Sequence, residues 1–465
     1  MSQFSELLST YIKESPYNIK YLASESQINR TIIQKYISGN RFPSSYSNIE
    51  KIITLLTLTD VQKFNLKKAY DIEKFGVEQY KYISKIKEII ENFHLIKNIS
   101  FSTKYEFKID NSVANNLNEL TVFSHLILDD AQKNNKKIKI CLPATNCIYK
   151  LIRDAVCLHG SLSLEHILYL ENDNQNYKNM YNLAQFENCL PTLFSNRCSI
   201  KYSYQHSISN LFNQNVYPYS IHSQNYSLLL NCQLNSGLLL QGEHNQYLHT
   251  QFNHLFNNAQ LYNSYSQSSL GYLNYHHFFK GQMNDFFLIQ SKPSILFILD
   301  KDMLDRHFIG TDKQYQTILN FLNNYKSHII NILSFFEFHM YFTKNGLLDF
   351  INSGINEDLP ISLIKPFDNK EIHFILNRLV NINKHYHNFY LHLIQEEFKI
   401  PSKCSIAYQQ DNEVLVILND NNCYHGCTLN EITIKKEVFN LKNLIDIENY
   451  AYQEKETIDF IKSFI

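Results

Sequence analysis

Residues 18–44, NIKYLASESQINRTIIQKYISGNRFPS, decide how the rest of the chain is read. Ile19, Leu22 and Ala23 form a short apolar face. Ile28, Ile32, Ile33 and Tyr36 or Ile37 form a second at helical spacing, and the polar residues 24–27 separate the two. Two helices joined that tightly cross at a steep angle. Asn29 is placed to cap the second helix, Gly39 to stop it and Pro43 to prevent its resumption. Arg30, Thr31, Gln34 and Lys35 are then left on the outward face. Long side-chain donors at the start of a helix with an apolar back meet the demands of major-groove readout, because Arg and Lys match guanine acceptors and Gln matches adenine.

This segment resembles the Cro/repressor (XRE) family of helix-turn-helix regulators. Leu22-Ala23, Ile28, Asn29, the polar helix from Arg30 to Ile37, Gly39, Arg41 and Pro43 follow the family's order. The resemblance implies base contacts from Arg30, Thr31, Gln34 and Lys35, with Asn29, Asn40 and Arg41 near phosphates. Two positions depart from the pattern: Gln27 stands where the turn usually has Gly, and Ile37 where a buried Glu is often found. A non-Gly residue takes the left-handed conformation at a cost of about 1 kcal/mol, so a strained turn is expected.

The flanks extend the helical reading to five helices, an all-α, lambda-repressor-like domain over residues 1–70. Phe4, Leu7, Leu8, Tyr11 and Ile12 make an amphipathic first helix, and Ser47 with Glu50 and Thr59 with Gln62 have the spacing of two capping boxes. Residues 1–68 carry nine basic and five acidic side chains, whereas the whole chain of 465 residues carries 43 and 44. Phosphate attraction is therefore concentrated at the N-terminal end. The whole-chain charge of −1 argues against indiscriminate coating of nucleic acid.

The length predicts two or three domains, and a 44% hydrophobic content is ample for their cores. No apolar run approaches the ~18 residues of a membrane helix. The opening MSQFSELLSTYIKES shows no signal-peptide pattern, so a cytoplasmic location is expected. Nine cysteines at irregular spacing fit reduced thiols better than a disulfide framework.

Residues 71–99 read as a helical connector, broken near Gly76, in which Ile83, Ile86, Ile90 and Phe93 keep a/d spacing for two heptads. That face suits either a dimer contact or packing on the next domain. Beyond it the pattern becomes mixed, with expected strands at 137–142, 294–299, 413–418 and 428–434 and expected helices at 146–158, 245–259, 312–336 and 371–399. Residues 171–181 and 263–269 read as surface loops or joints. No repeat of fixed period is visible. The expected organisation is an α+β or α/β region divided into 100–280, a sensor or oligomerisation domain, and 281–465, an α+β C-terminal domain.

None of the patterns GxGxxG, GxxxxGK[ST], GxSxG or HExxH occurs, so no catalytic residue, cofactor or metal is assigned. His244, His249 and His254 recur every fifth residue and spread around a helix instead of sharing a face. His385 and His392 lie one heptad apart, and Cys423, His425 and Cys427 cluster without the second Cys pair that a structural zinc site needs. The 32 Tyr and 32 Phe can line apolar pockets. The stretch YPYSIHSQNYSLLL, followed by GLLLQGEHNQYLHTQFNHLF, resembles the sensor regions of some bacterial repressor-like regulators.

The expected function is a cytoplasmic, bacterial-type transcriptional regulator and not an enzyme. Its expected partners are double-stranded DNA, a second copy of the chain in a homodimer, and a small-molecule or peptide effector. Two readings from other classes stand beside it: an enzyme with an appended autoregulatory DNA-binding domain, and a protein-interaction hub.

Overall fold

Five helices form between residues 3 and 75 because the apolar residues there recur with helical period and most caps are supplied locally. The helices are α1 (Gln3–Glu14), α2 (Ile19–Ser26), α3 (Arg30–Ser38), α4 (Tyr46–Ile53) and α5 (Asp60–Phe75). They enclose one core containing Phe4, Leu8, Leu22, Ile33, Ile49, Leu66 and Tyr70. Thr59 and Gln62 form the expected capping box, with Gln62 N–H donating to Thr59 Oγ1 at 3.3 Å and Thr59 N–H donating to Gln62 Oε1 at 2.9 Å. The other expected box is misplaced: α4 already begins at Tyr46, so Ser47 lies inside its first turn. The computed structural model describes residues 2–43, 46–92, 112–134, 136–158, 160–172, 180–205, 216–268, 284–356, 358–395, 398–409, 413–420, 423–447 and 450–465.

The chain breaks at Gly76, whose φ of 83° and ψ of 156° are open only to glycine, and continues as α6 (Val77–Glu91). Tyr82, Ile86, Ile89 and Ile90 of α6 are buried in the core of the region that follows, so the a/d face packs within its own chain. Phe93 lies outside the described residues.

That region is α+β and contains two mixed sheets. In the first are β1 (Val113–Ala114), β2 (Lys137–Cys141), β3 (Ser163–Glu171), β4 (Cys198–Gln205), β5 (Tyr219–His222), β6 (Tyr226–Leu230), β7 (Gly237–Gln241) and β8 (Gln260–Leu261). Their spatial order is β1-β7-β6-β5-β2-β3-β4-β8, with only the pairs β2/β3 and β3/β4 parallel. Helices α7 (Leu117–Lys133), α8 (Cys147–Leu158) and α9 (Met180–Leu193) bury one face, and α10 (Glu243–Asn258) packs on the other through Phe252.

The second sheet comprises β9 (Asn263–Ser268), β10 (Phe286–Gln290), β11 (Phe338–Thr343), β12 (Phe389–Ile394), β13 (Cys404–Gln409), β14 (Val414–Asp420) and β15 (Cys423–Leu429), in the order β9-β15-β14-β13-β10-β11-β12. Every residue of β10 is buried: Phe286 and Leu288 enter one core, and Phe287 and Ile289 enter the other. A strand covered on both faces reads as a continuous apolar run. The outer face is covered by α11 (Lys301–His307), α12 (Asp312–Phe335), α13 (Lys344–Ser353), α14 (Asn369–His385) and α16 (Glu454–Lys462). The inner face shares its core with the first sheet, α6 and α15 (Ile432–Ile447). The buried carboxylate of Glu431 joins the two halves: it accepts from Tyr204 Oη of β4 at 2.5 Å and from the Ile434 N–H at the start of α15 at 2.9 Å.

The two sheets follow one plan. Strand by strand, β1 to β7 match β9 to β15 in spatial order and in every parallel or antiparallel sense. Each plan also ends with an antiparallel addition beside its last parallel strand, β8 on β4 in the first and the Ala451 bridge to Ile394 in the second. The absence of a fixed period in the sequence is explained by unequal connections. Equivalent strands begin 150 residues apart at Val113 and Asn263 but 191 apart at Cys198 and Phe389, because α11 and α12 stand where the first half has α8 alone, and α13 and α14 where it has α9 alone.

Four local expectations are corrected. Residues 263–269 do not read as a surface loop throughout, because 263–268 form β9, an edge strand whose polar side chains disguise it. Residues 294–299 are a buried turn after β10, with Leu299 N–H donating to Ile295 O, since a short apolar run fits any fully buried segment. The helix expected over 371–399 ends at His385 and gives way to β12 with no Gly or Pro between them, so His385 and His392 share no helical face. Residues 428–434 straddle the end of β15 and the start of α15. Among the described residues no helix is long and apolar enough to cross a membrane.

Candidate nucleic-acid interface

The turn between α2 and α3 is built by three short-range devices. Asn18 caps α2 by accepting from Tyr21 N–H at 2.9 Å, and Asn29 caps α3 by accepting from Thr31 N–H at 2.8 Å. Between them Gln27 takes the left-handed conformation, φ 58° and ψ 25°, so the turn forms without the glycine usual in the resembled family. At the far end Gly39, φ 76°, closes α3 by donating to Tyr36 O, and Arg41 N–H returns to Lys35 O at 3.2 Å.

This frame fixes which way α3 faces. Ile33 is 0% exposed and Tyr36 3%. Arg30, Thr31, Gln34 and Lys35 are all exposed, and so are Asn29, Asn40 and Arg41. The seven residues singled out in the sequence thus surround one short helix whose back is held in the core. Ile37 is half-buried and packs on that core as an aliphatic residue. Phe42 anchors the segment after α3 by stacking on Tyr70 at 4.8 Å, and Tyr70 Oη donates to Pro43 O at 3.4 Å. No acidic residue lies in the first turn of α3, so its outward start presents donors unopposed by a local carboxylate. Sequence reasoning passed over Tyr17 and Tyr21, which stack at 4.7 Å at the start of α2 while remaining exposed; their i,i+4 spacing is the signal that could have found them.

Several histidines of the C-terminal region belong to packing networks. His222 Nδ1 lies 2.7 Å from Ser227 Oγ, which donates to Asn245 Oδ1 at 2.5 Å, while His222 Nε2 lies 2.9 Å from Ser220 Oγ. Because the single proton of Ser227 goes to Asn245, the imidazole donates to Ser227 and does not withdraw its proton. Burial, reinforced by His249 and Lys139, pushes the His222 pKa down to about 3 and keeps it neutral. His249 joins by donating from Nε2 to Ser223 O at 2.6 Å, whereas His244 and His254 do not enter this network. A pairing invisible in the sequence brings His339 of β11 beside His392 of β12, Nδ1 to Nε2 3.0 Å, with Glu337 on the other His339 nitrogen at 2.9 Å. Burial and the nearby Lys442 hold the His339 pKa at about 3. His425 bonds to Tyr265 Oη at 2.7 Å and Cys427 is buried; the Cys423 side chain lies outside the described residues. Among the described residues no group of three His, Cys, Asp or Glu side chains is arranged to hold a metal ion.

No protein-family model matches the chain, and neither does any curated protein. Among solved structures it is similar to TrmBL2, described as an archaeal chromatin protein with a novel mode of DNA binding, at 10% identity, over 56% of this chain and 94% of that one, with a TM-score of 0.23. A score that low carries no argument about fold or function.

Proposed function

We propose that this chain is a sequence-specific DNA-binding transcriptional regulator of the Cro/repressor (XRE) type, whose α3 enters the major groove. The observation that carries the proposal is the two-sidedness of α3: Arg30, Thr31, Gln34 and Lys35 point outward while Ile33 and Tyr36 lock the helix to its own domain. In this reading Arg30, Thr31, Gln34 and Lys35 meet base edges, and Asn29, Asn40 and Arg41 meet phosphates and set the register. Two copies read two half-sites a turn of DNA apart. The large C-terminal region senses a signal or joins the copies, and a ligand that prefers one arrangement of the N-terminal domains shifts the population toward it.

The test starts by selecting bound sequences from random duplex DNA. On the selected site Arg30→Ala costs ~1–3 kcal/mol and relaxes base choice, whereas Arg41→Ala weakens all sequences alike and lowers the salt slope by about 1. Equal losses on selected and random DNA for Arg30→Ala would remove the base-reading role. Failure of the unaltered chain to enrich any sequence sinks the proposal as a whole.

A further inference from the structure

A cavity of about 830 Å³ lies where the N-terminal helices meet the rest of the chain, lined by α4 and α5, by α6, and by Lys399 and Tyr450. Its size is that of a small-molecule site. Two ammonium groups from different elements converge on one ring there: Lys67 Nζ of α5 lies 4.0 Å from the Tyr450 ring centroid, and Lys87 Nζ of α6 lies 4.8 Å from it. Lys67 also lies 4.9 Å from the Tyr46 ring, and Lys87 5.6 Å from the Phe398 ring. Each contact is within the range of an ammonium–π attraction and draws three separate elements together. Both ammonium groups ride on flexible four-carbon stems, and Lys87 Nζ also lies 4.0 Å from a carboxylate oxygen of Glu91, a partner that an incoming acid group would replace.

Apolar surface stands next to that charge. Phe64, Phe75 and Ile83 line the same cavity, and Phe64 is 63% exposed. The lining carries five lysines and five carboxylates, so it has no net charge. Selection there is local, by the paired ammonium groups and the apolar wall, and not by a long-range field.

We propose that this cleft binds a small organic acid, with its anionic head taken by Lys67 and Lys87 and its apolar body laid against Phe64, Phe75 and Ile83. The site stands on the cleft itself; its regulatory meaning rests on the DNA-binding reading above. Because Lys67 belongs to the N-terminal domain, Lys87 to the connector and Tyr450 to the C-terminal region, an occupant fixes the angle at which α3 is carried.

The test is calorimetric titration of the full chain, without DNA, using phenylacetate and phenyl phosphate as probes. At least one binds saturably at one site, and comparison of the two separates a carboxylate site from a phosphate site. Lys67→Gln and Lys87→Gln each weaken binding at least tenfold, whereas Lys313→Gln on the remote exposed start of α12 leaves it unchanged. On the unaltered chain, the bound probe protects Lys67 and Lys87 from acetylation, read by mass spectrometry, which keeps the test valid if a variant misfolds. The proposal is overturned if neither probe saturates, or if it binds the Gln variants as tightly as the parent and leaves both lysines equally reactive. DNA affinity is measured separately, so a chain that binds no DNA fails the earlier reading while these titrations still decide the site.

Discussion

Gln27 shows how a single residue can carry a motif at a cost. Its left-handed backbone disfavours a side chain with a Cβ, yet the turn needs that conformation to set α3 across α2. Gln27→Gly is expected to raise unfolding free energy by about 1 kcal/mol while leaving DNA affinity unchanged, read by urea titration beside a binding assay. His222 makes the opposite kind of contribution. It is neutral inside the fold, with a pKa pushed down to about 3, and takes a proton readily once unfolded. The unfolded state therefore binds more protons below pH ~6.5, and stability declines as pH falls from there toward 3. By pH 5 this one group has removed about 2 kcal/mol. His222→Gln should shrink the difference in stability between pH 7.5 and 5 by that amount, and an unchanged difference would mean that the imidazole is not held neutral.

Among the elements, Gly76 has the sharpest consequence. A Cβ there meets nothing within 4 Å, so any penalty for Gly76→Ala arises from the backbone alone. A cost of ~1–3 kcal/mol is expected in thermal or urea unfolding of the full chain, and a neutral effect would show that the break between α5 and α6 can be rebuilt in another conformation. The elements legible in the sequence were those with local punctuation: Thr59 and Gln62 for α5, Gly39 for the end of α3, and the apolar alternation of β2. Those that escaped were decided by partners far along the chain. β9 is polar and becomes a strand only because β15 offers it an edge. The run 389–394 continues the apolar pattern of α14 and becomes β12 because β11 is there to pair with it. The outward face of α3 needed only helical geometry to be read, whereas the His339–His392 pair and the cleft at Tyr450 join residues 53 or more positions apart and left no local trace.

At the scale of the whole molecule, the core of α1–α5 is separate from the one that takes in α6. Residues 1–76 are accordingly expected to fold alone, with a cooperative thermal transition, whereas a C-terminal fragment needs α6 to cover the apolar surface met by Ile86, Ile89 and Ile90. A fragment beginning at residue 77 should stay monodisperse and one beginning at residue 92 should aggregate, as scattering would show. The repeated strand plan also allows the halves to be compared row by row. Across β2, β5 and β6 one row runs Lys139, His222, Ser227; the matching row of β10, β13 and β14 runs Phe287, Tyr408, Val414. The first row lies under α10, and the second is sealed in the core that the halves share. The same strand plan thus carries a polar row in one half and an apolar row in the other. Each half is thus an internal control for the other: exchanging the two triplets asks whether place in the strand plan or the surrounding helices dictate what a position tolerates.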